Sequence, residues 1–265
     1  MLNSELPDSV LSLHNQILYW FDQPLGRSLQ ALEARHIRQA LPRLYGTVAL
    51  QVGRVGRLDL MTTAVPPTRI LLDRDIGRSR CSVKGTPDSL PFESKSVDLV
   101  ILPHTLDFTE QPRQVLREVH RVLSPEGHVI ILGFNPMSAW GLWRLIARYR
   151  SAMPWRGNFL KLSRIKDWLD LLDFELAQGR MLYYRPPLQK SRFRDRLAFL
   201  EKIGDRWWPM GAAVYMVVAK KRVLGMTPLQ PSWYGRKAVV SGMAEPAAKV
   251  IYPRIPHWLR RDRSG

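Results

Sequence analysis

The stretch 85–135, GTPDSLPFESKSVDLVILPHTLDFTEQPRQVLREVHRVLSPEGHVIILGFN, constrains the fold of this chain more than any other segment. Val97, Leu99, Val100, Ile101 and Leu102 form a short apolar run behind the polar turn 93–96. A run of that kind suits a strand covered on both faces, as in a parallel sheet. Pro112 stands where a helix begins, and Val115, Leu116, Val119, Val122 and Leu123 then follow helical spacing. Ser124, Pro125, Glu126 and Gly127 stop that helix, and 128–134 reads as a second buried strand. Strand, helix and strand joined by short connectors make one parallel crossover unit of an open α/β sheet.

The rest of the chain extends that unit in both directions. Residues 10–45 are amphipathic and predict helix, with Leu11, Leu18, Leu25, Leu29, Leu32 and Ile37 as core candidates. Residues 47–53 predict a strand entering a glycine turn, and 68–73 a strand ending in Asp73. Residues 138–151 and 161–173 predict helices, and 174–184 and 212–220 a terminal strand pair. Between that pair lies a basic, aromatic insertion at 185–210. The expected organisation is a helical extension at 1–45, an α/β domain at 46–222, and a basic, disordered tail at 223–265.

Composition removes several classes of function. With 265 residues and 45% hydrophobic content the chain can bury a sizeable core. A single cysteine, Cys81, excludes an intrachain disulfide framework, and no Cys/His cluster has metal-ligand spacing. No apolar run reaches membrane-spanning length, and the first residues lack a basic secretory n-region, so the expected location is the cytoplasm. The net charge of +17 is unevenly placed: residues 1–134 carry 15 Lys/Arg against 14 Asp/Glu, and 135–265 carry 25 against 9. A basic half of that size attracts phosphate backbones or anionic lipid headgroups, or serves only solubility.

The segments LPFESKSVDLVILPHTLDF and PRQVLREVHRVLSPEGHVII resemble class I S-adenosylmethionine-dependent methyltransferases of the type 11 group. Gly133, Phe134, Asn135 and Pro136, followed by Ser138 and Gly141, bring the likeness to the bacterial YafS-like branch. The resemblance implies a Rossmann-like, mostly parallel seven-stranded sheet with an antiparallel terminal strand and helices on both faces. It also implies S-adenosyl-L-methionine as cofactor.

In that class the first strand ends in an acid followed by alternating glycines, which let the backbone approach the amino-acid part of the cofactor. Here the run is Gln51, Val52, Gly53, Arg54, Val55, Gly56, Arg57. Gly53 is kept, Gln51 replaces the acid, Val55 and Arg57 replace glycines, and Gly56 is out of register. Asp73 falls where an acid accepts hydrogen bonds from the ribose hydroxyls, with Asp75 as the alternative and a plain strand-end aspartate as the bland reading. Thr86 aligns with the family's adenine-contacting Asp, and Asp88 is close enough to compensate. His104 follows the fourth strand, where it is expected to touch cofactor or substrate, as a general base near neutral pH or as a structural histidine. Asp107 is the second catalytic candidate, Asn135 can orient a polar group, and His120 reads as solvated.

For the acceptor, Trp140, Trp143, Trp155, Trp168, Trp207 and Trp208 alternate with arginines across 137–208. A pocket with a basic rim for a small or lipid-like acceptor at a membrane surface, an RNA platform, and a cap that packs its tryptophans on the sheet all fit. Three functions follow: a methyltransferase on a small or lipid-like acceptor, an RNA-directed methyltransferase or RNA-binding protein, and a scaffold that has lost donor binding.

Overall fold

In the computed structural model, residues 13–56, 60–74, 83–147, 153–187 and 211–222 are described. They build one seven-stranded sheet in the order β3-β2-β1-β4-β5-β7-β6. The strands are β1 (Val48–Val52), β2 (Thr68–Asp73), β3 (Val83–Lys84), β4 (Val97–Pro103), β5 (Leu123–Phe134), β6 (Phe174–Leu182) and β7 (Val214–Lys221). Strands β1 to β5 run parallel, and β7 is reversed against both β5 and β6. This is the expected fold class.

Alternation along the strands divides the core into two layers. Leu99, Ile101, Ile130, Leu132, Phe134, Val214 and Met216 face one side, and Val100, Leu102, Val129, Ile131, Tyr215 and Val217 the other. Helices α3 (Pro112–Val122) and α5 (Leu162–Leu171) cover the second side, with Val115, Leu116, Val119 and Ile165 completely buried. Helices α1 (Leu13–Asp22), α2 (Pro24–Ala40) and α4 (Ala139–Ala147) cover the first.

The helical segment expected over 10–45 is therefore two helices. Gln23 takes the extended conformation usual before proline (φ −73°, ψ 158°), and Pro24 opens α2 without needing an N–H partner. Phe21, Leu25, Leu29 and Ile37 are buried in the same cluster as the first face of the sheet. These helices are thus a layer of the domain and not an appendage to it. The stop at 124–127 also differs from its expectation. It lies inside β5 as an irregularity in the β4 pairing, with Glu126 at φ 65°.

Side chains at strand ends hold the sheet in register. Asp98 accepts from the Thr47 N–H at 2.6 Å, the Val48 N–H at 3.1 Å and the Ser124 hydroxyl at 2.7 Å. Burial works against its ionised form, but these donors outweigh it and hold the carboxyl below its ordinary range. No described helix is long and apolar enough to cross a membrane.

Candidate functional site

An open cleft enclosing about 650 Å³, its solvent-facing mouth included, lies at the carboxyl ends of β1, β2 and β4. That is the edge of an open α/β sheet where ligands bind, because the loops that leave parallel strands diverge there. Gly53, Arg54 and Val55 line it from β1; Leu72, Asp73 and Arg74 from β2. Gly85 and Pro87 follow β3, and Pro103, His104 and Thr105 end β4. Phe108 and Thr109, which follow β4, and Ile17 of α1 complete the lining.

The turn after β1 is built around Gly53, at φ +84°, a conformation that favours glycine. Its N–H donates to the Leu72 carbonyl at 2.9 Å, and a Cβ there would stand 3.3 Å from the Thr105 hydroxyl. Gln51 is buried and its amide donates to the Gly53 carbonyl at 3.0 Å. Gln51 thus clamps the turn from below and is not one of the cleft-lining residues. Gly56, expected at the cofactor, serves a different partner. At φ +60° it lies against Gln30 of α2, whose amide donates to the Val55 carbonyl, and a Cβ there would collide with that amide. Arg57 and Asp75 lie outside the described residues.

Asp73 is buried at the end of β2 and lines the cleft, with Oδ1 accepting from the Arg74 N–H at 2.7 Å. Thr86 and Asp88 do not line the cleft; Gly85 and Pro87, beside them, do. Thr86 is exposed and pairs with Ser89 across a tight turn, which takes it away from the adenine-contacting role. Asp88 has a buried Oδ1 without a hydrogen-bond partner.

His104 takes the structural one of its two expected roles. Its backbone is left-handed (φ 54°, ψ 13°), which turns the chain from β4 into a single 3-10 turn, Thr105–Asp107. The imidazole is fully buried beneath the cleft and stacks on Phe134 at 4.2 Å between centroids. Both ring nitrogens are engaged: Nε2 with Glu33 of α2 at 2.8 Å and Nδ1 with Asp107 at 3.0 Å. Burial opposes its positive charge, but the Glu33 carboxylate and the two hydrogen bonds overcome this and raise the imidazole to about 9. A buried imidazolium has no lone pair for a substrate proton, so the general-base role does not fit this geometry. Asp107 is held too. Burial raises its carboxyl, while His104 and the Phe134 N–H, which donates to Oδ2 at 3.0 Å, pull the other way.

Other expected residues are likewise structural. Asn135 is buried; its amide donates to the Ala212 carbonyl at 2.9 Å and its Oδ1 accepts from the Met137 N–H at 3.0 Å. His120 is partly buried and packs edge-on against Phe174. Trp140, Trp155 and Trp168 are core side chains, as a sheet cap requires, and Trp207 and Trp208 lie outside the described residues. Sequence reasoning missed Glu33, Gln30, Arg54 and Thr105. Glu33 and Gln30 sit on a helix whose mean composition looks surface-like, and their partners are distant in the chain.

A parallel sheet ending in one reversed strand, with a cleft between a glycine turn after β1 and an acid after β2, defines the class I methyltransferase architecture. Residues 46–131 match the methyltransferase domain model of type 11. The chain is 29% identical over 209 residues to the Escherichia coli (strain K12) protein YafS, covering 78% of this chain and 82% of that one. It is 25% identical over 177 residues to the Mycobacterium bovis protein Mb2026c, of which it spans 60%. Among solved structures it is similar to a SAM-dependent methyltransferase of Thermotoga maritima named as a possible histamine N-methyltransferase. That likeness has a TM-score of 0.55 at 19% identity and covers 78% of this chain and 96% of the other. A SAM-dependent methyltransferase of Archaeoglobus fulgidus gives a TM-score of 0.51 at 19% identity, with 71% and 93% covered. The likeness read from 85–136 to class I, type 11 methyltransferases and to the YafS-like branch holds.

Proposed function

We propose that the protein binds S-adenosyl-L-methionine in the cleft at β1, β2 and β4 and transfers its methyl group to a small or lipid-like acceptor. The observation that carries this reading is the pairing of Gly53, in a left-handed turn, with the buried cleft-lining Asp73. Both fit the cofactor chemically. Gly53 leaves room for backbone approach, and Asp73 presents a carboxylate acceptor suited to a vicinal hydroxyl pair. Arg54 adds a cation beside the turn, complementary to an amino-acid carboxylate. Gly85 and Pro87 offer a flat, apolar edge for a heterocycle.

When bound, the cofactor supplies an electrophilic methyl group that needs no covalent help from the protein. The chain's own part is then alignment and exclusion of water. Ile17 and Phe108 form apolar walls, and Thr105 locks the two loops together by donating to the Val52 carbonyl at 2.6 Å. His104, at the cleft, has both ring nitrogens engaged, so the acceptor proposed here carries a nucleophile that His104 does not have to deprotonate.

Calorimetry and thermal shift with S-adenosylmethionine and S-adenosylhomocysteine test this directly. Both ligands should bind and stabilise the fold. Asp73→Asn should weaken binding about tenfold to a hundredfold, the value of hydrogen bonds to a charged acceptor. Neither heat nor stabilisation from either ligand would leave the scaffold reading in its place.

A further inference from the structure

Helix α4 holds Trp140 and its single charged residue, Arg144, against the protein and turns Leu142, Trp143 and Leu145 toward solvent. Trp140 is 1% exposed within the aromatic cluster of Phe134, Trp155 and Tyr183. Arg144 follows one turn later; its Nε donates to the Trp155 carbonyl at 3.0 Å and its guanidinium lies 5.1 Å from the Phe159 ring centroid. Gly141 presses the start of the helix onto the preceding turn, since a Cβ there would fall 1.9 Å from the Pro136 carbonyl oxygen. The helix is thus pinned in one rotation.

What that rotation leaves outside is hydrophobic. At 100° per residue, Leu142 and Leu145 lie opposite Trp140 and Arg144, with Trp143 on the flank. Leu142 is 65%, Trp143 47% and Leu145 56% exposed, and Met137 at the head of the helix is 61% exposed. Four of the nine large hydrophobic side chains exposed among the described residues thus fall within 137–145. The others are scattered singly, which is ordinary; a contiguous patch is not.

The surrounding charge selects the partner. Between Glu126 and Asp167 the sequence contains no acidic residue and seven Lys/Arg. Of the described ones, Arg156 is exposed and adjoins Trp155, whose carbonyl Arg144 holds; Lys161, Arg164 and Lys166 are exposed as well but belong to the start of α5, on the second side of the sheet. An apolar helical face flanked by tryptophan, within a stretch of one positive sign, complements the surface of an anionic bilayer. Leucine and methionine enter the acyl boundary, tryptophan sits at headgroup depth, and the cations meet lipid phosphates. An RNA would satisfy the cations but offers nothing that requires Met137, Leu142 and Leu145.

We infer that the outward face of α4 docks this protein on anionic lipid membranes. The contact needs no bound cofactor. Because β5 runs from the sheet core to the cleft edge and directly into α4, docking brings that edge toward the bilayer. The consequence for a lipid-like acceptor rests on the methyltransferase reading; the docking itself does not.

Flotation of the full chain tests this, using vesicles of phosphatidylcholine alone and of phosphatidylcholine mixed with phosphatidylglycerol. The protein should float with the mixed vesicles, less so as salt rises, and far less with the neutral ones. A variant carrying Leu142→Ser, Trp143→Ser and Leu145→Ser should keep its melting temperature and lose at least about tenfold in vesicle affinity. Trp143→Phe, which keeps an apolar ring, should retain most of the binding. Unchanged flotation of the triple variant would overturn the inference, because binding would then come from the basic residues alone. So would two other results, each without wild-type flotation: salt-sensitive binding to single-stranded RNA, or self-association abolished by the triple substitution. Loss of flotation with intact binding of S-adenosylmethionine would separate this surface from the cofactor site.

Discussion

The two faces of the sheet are built from different materials. The second, under α3 and α5, is a layer built mainly of Val, Ile and Leu, with Trp168, Phe174 and Tyr215 among them. The first, under α1, α2 and α4, contains a stacked aromatic cluster and a buried Glu33–His104–Asp107 ionic group. The aliphatic face is specified by volume and shape alone. The ionic face permits one, because each buried charge must meet its partner. The cleft borders the more demanding face: His104 and Thr105 line it, and Glu33 holds His104 from α2. The helical layer before β1 is therefore tied to the shape of the site.

This contrast can be broken experimentally. Glu33→Ala should cost about 3–5 kcal/mol in denaturant unfolding, since it leaves a buried Nε2–H without an acceptor and removes one of the two carboxylates that hold the imidazolium. A loss under about 1 kcal/mol would mean that His104 carries no charge in the fold.

The next effect is one of pH. His104 rises from its ordinary 6.5 to about 9, so its contribution is present in full below pH 6.5 and lost as pH climbs through 9. The raised Asp107 carboxyl acts in the same direction, because its ionisation is disfavoured in the fold. Stability should then fall by roughly 3 kcal/mol between neutral pH and pH 10. In Glu33→Gln, which keeps a hydrogen-bonding oxygen without the charge, the slope should flatten. An unchanged slope in that variant would refute the ionic account.

On the other face, Val100→Ala should cost about 2 kcal/mol, the value of two buried methyl groups and their cavity. The cost should be equal at every pH in the same range. A pH-dependent loss there would show that the two faces are not independent.

Most of the second face was legible in the chain. Val115, Leu116, Val119 and Val122 carry their burial in their spacing, and Pro112 marks where α3 begins. Both signals are local, so periodicity and turn chemistry suffice. The short β3 was not legible as a strand, since two residues carry no period. The site was legible only at Gly53 and Asp73, which lie at strand ends that the sheet topology exposes. The roles of Gln51, Gly56, Thr86 and His104 were not, because each depends on what another segment brings beside it.

The crossover unit, the mostly parallel sheet that the resemblance implies, and the position of the glycine turn and following acid are all written in the chain. These follow from hydrophobic period, proline and glycine, which act over a few residues. Folding alone places Glu33 against His104, 71 positions away, and Gln30 in the space beside Gly56. Only it decided that Arg144 turns inward and leaves α4 apolar outside. A side chain's charge state and exposure depend on neighbours that the fold assembles, and no local pattern in a single chain contains them.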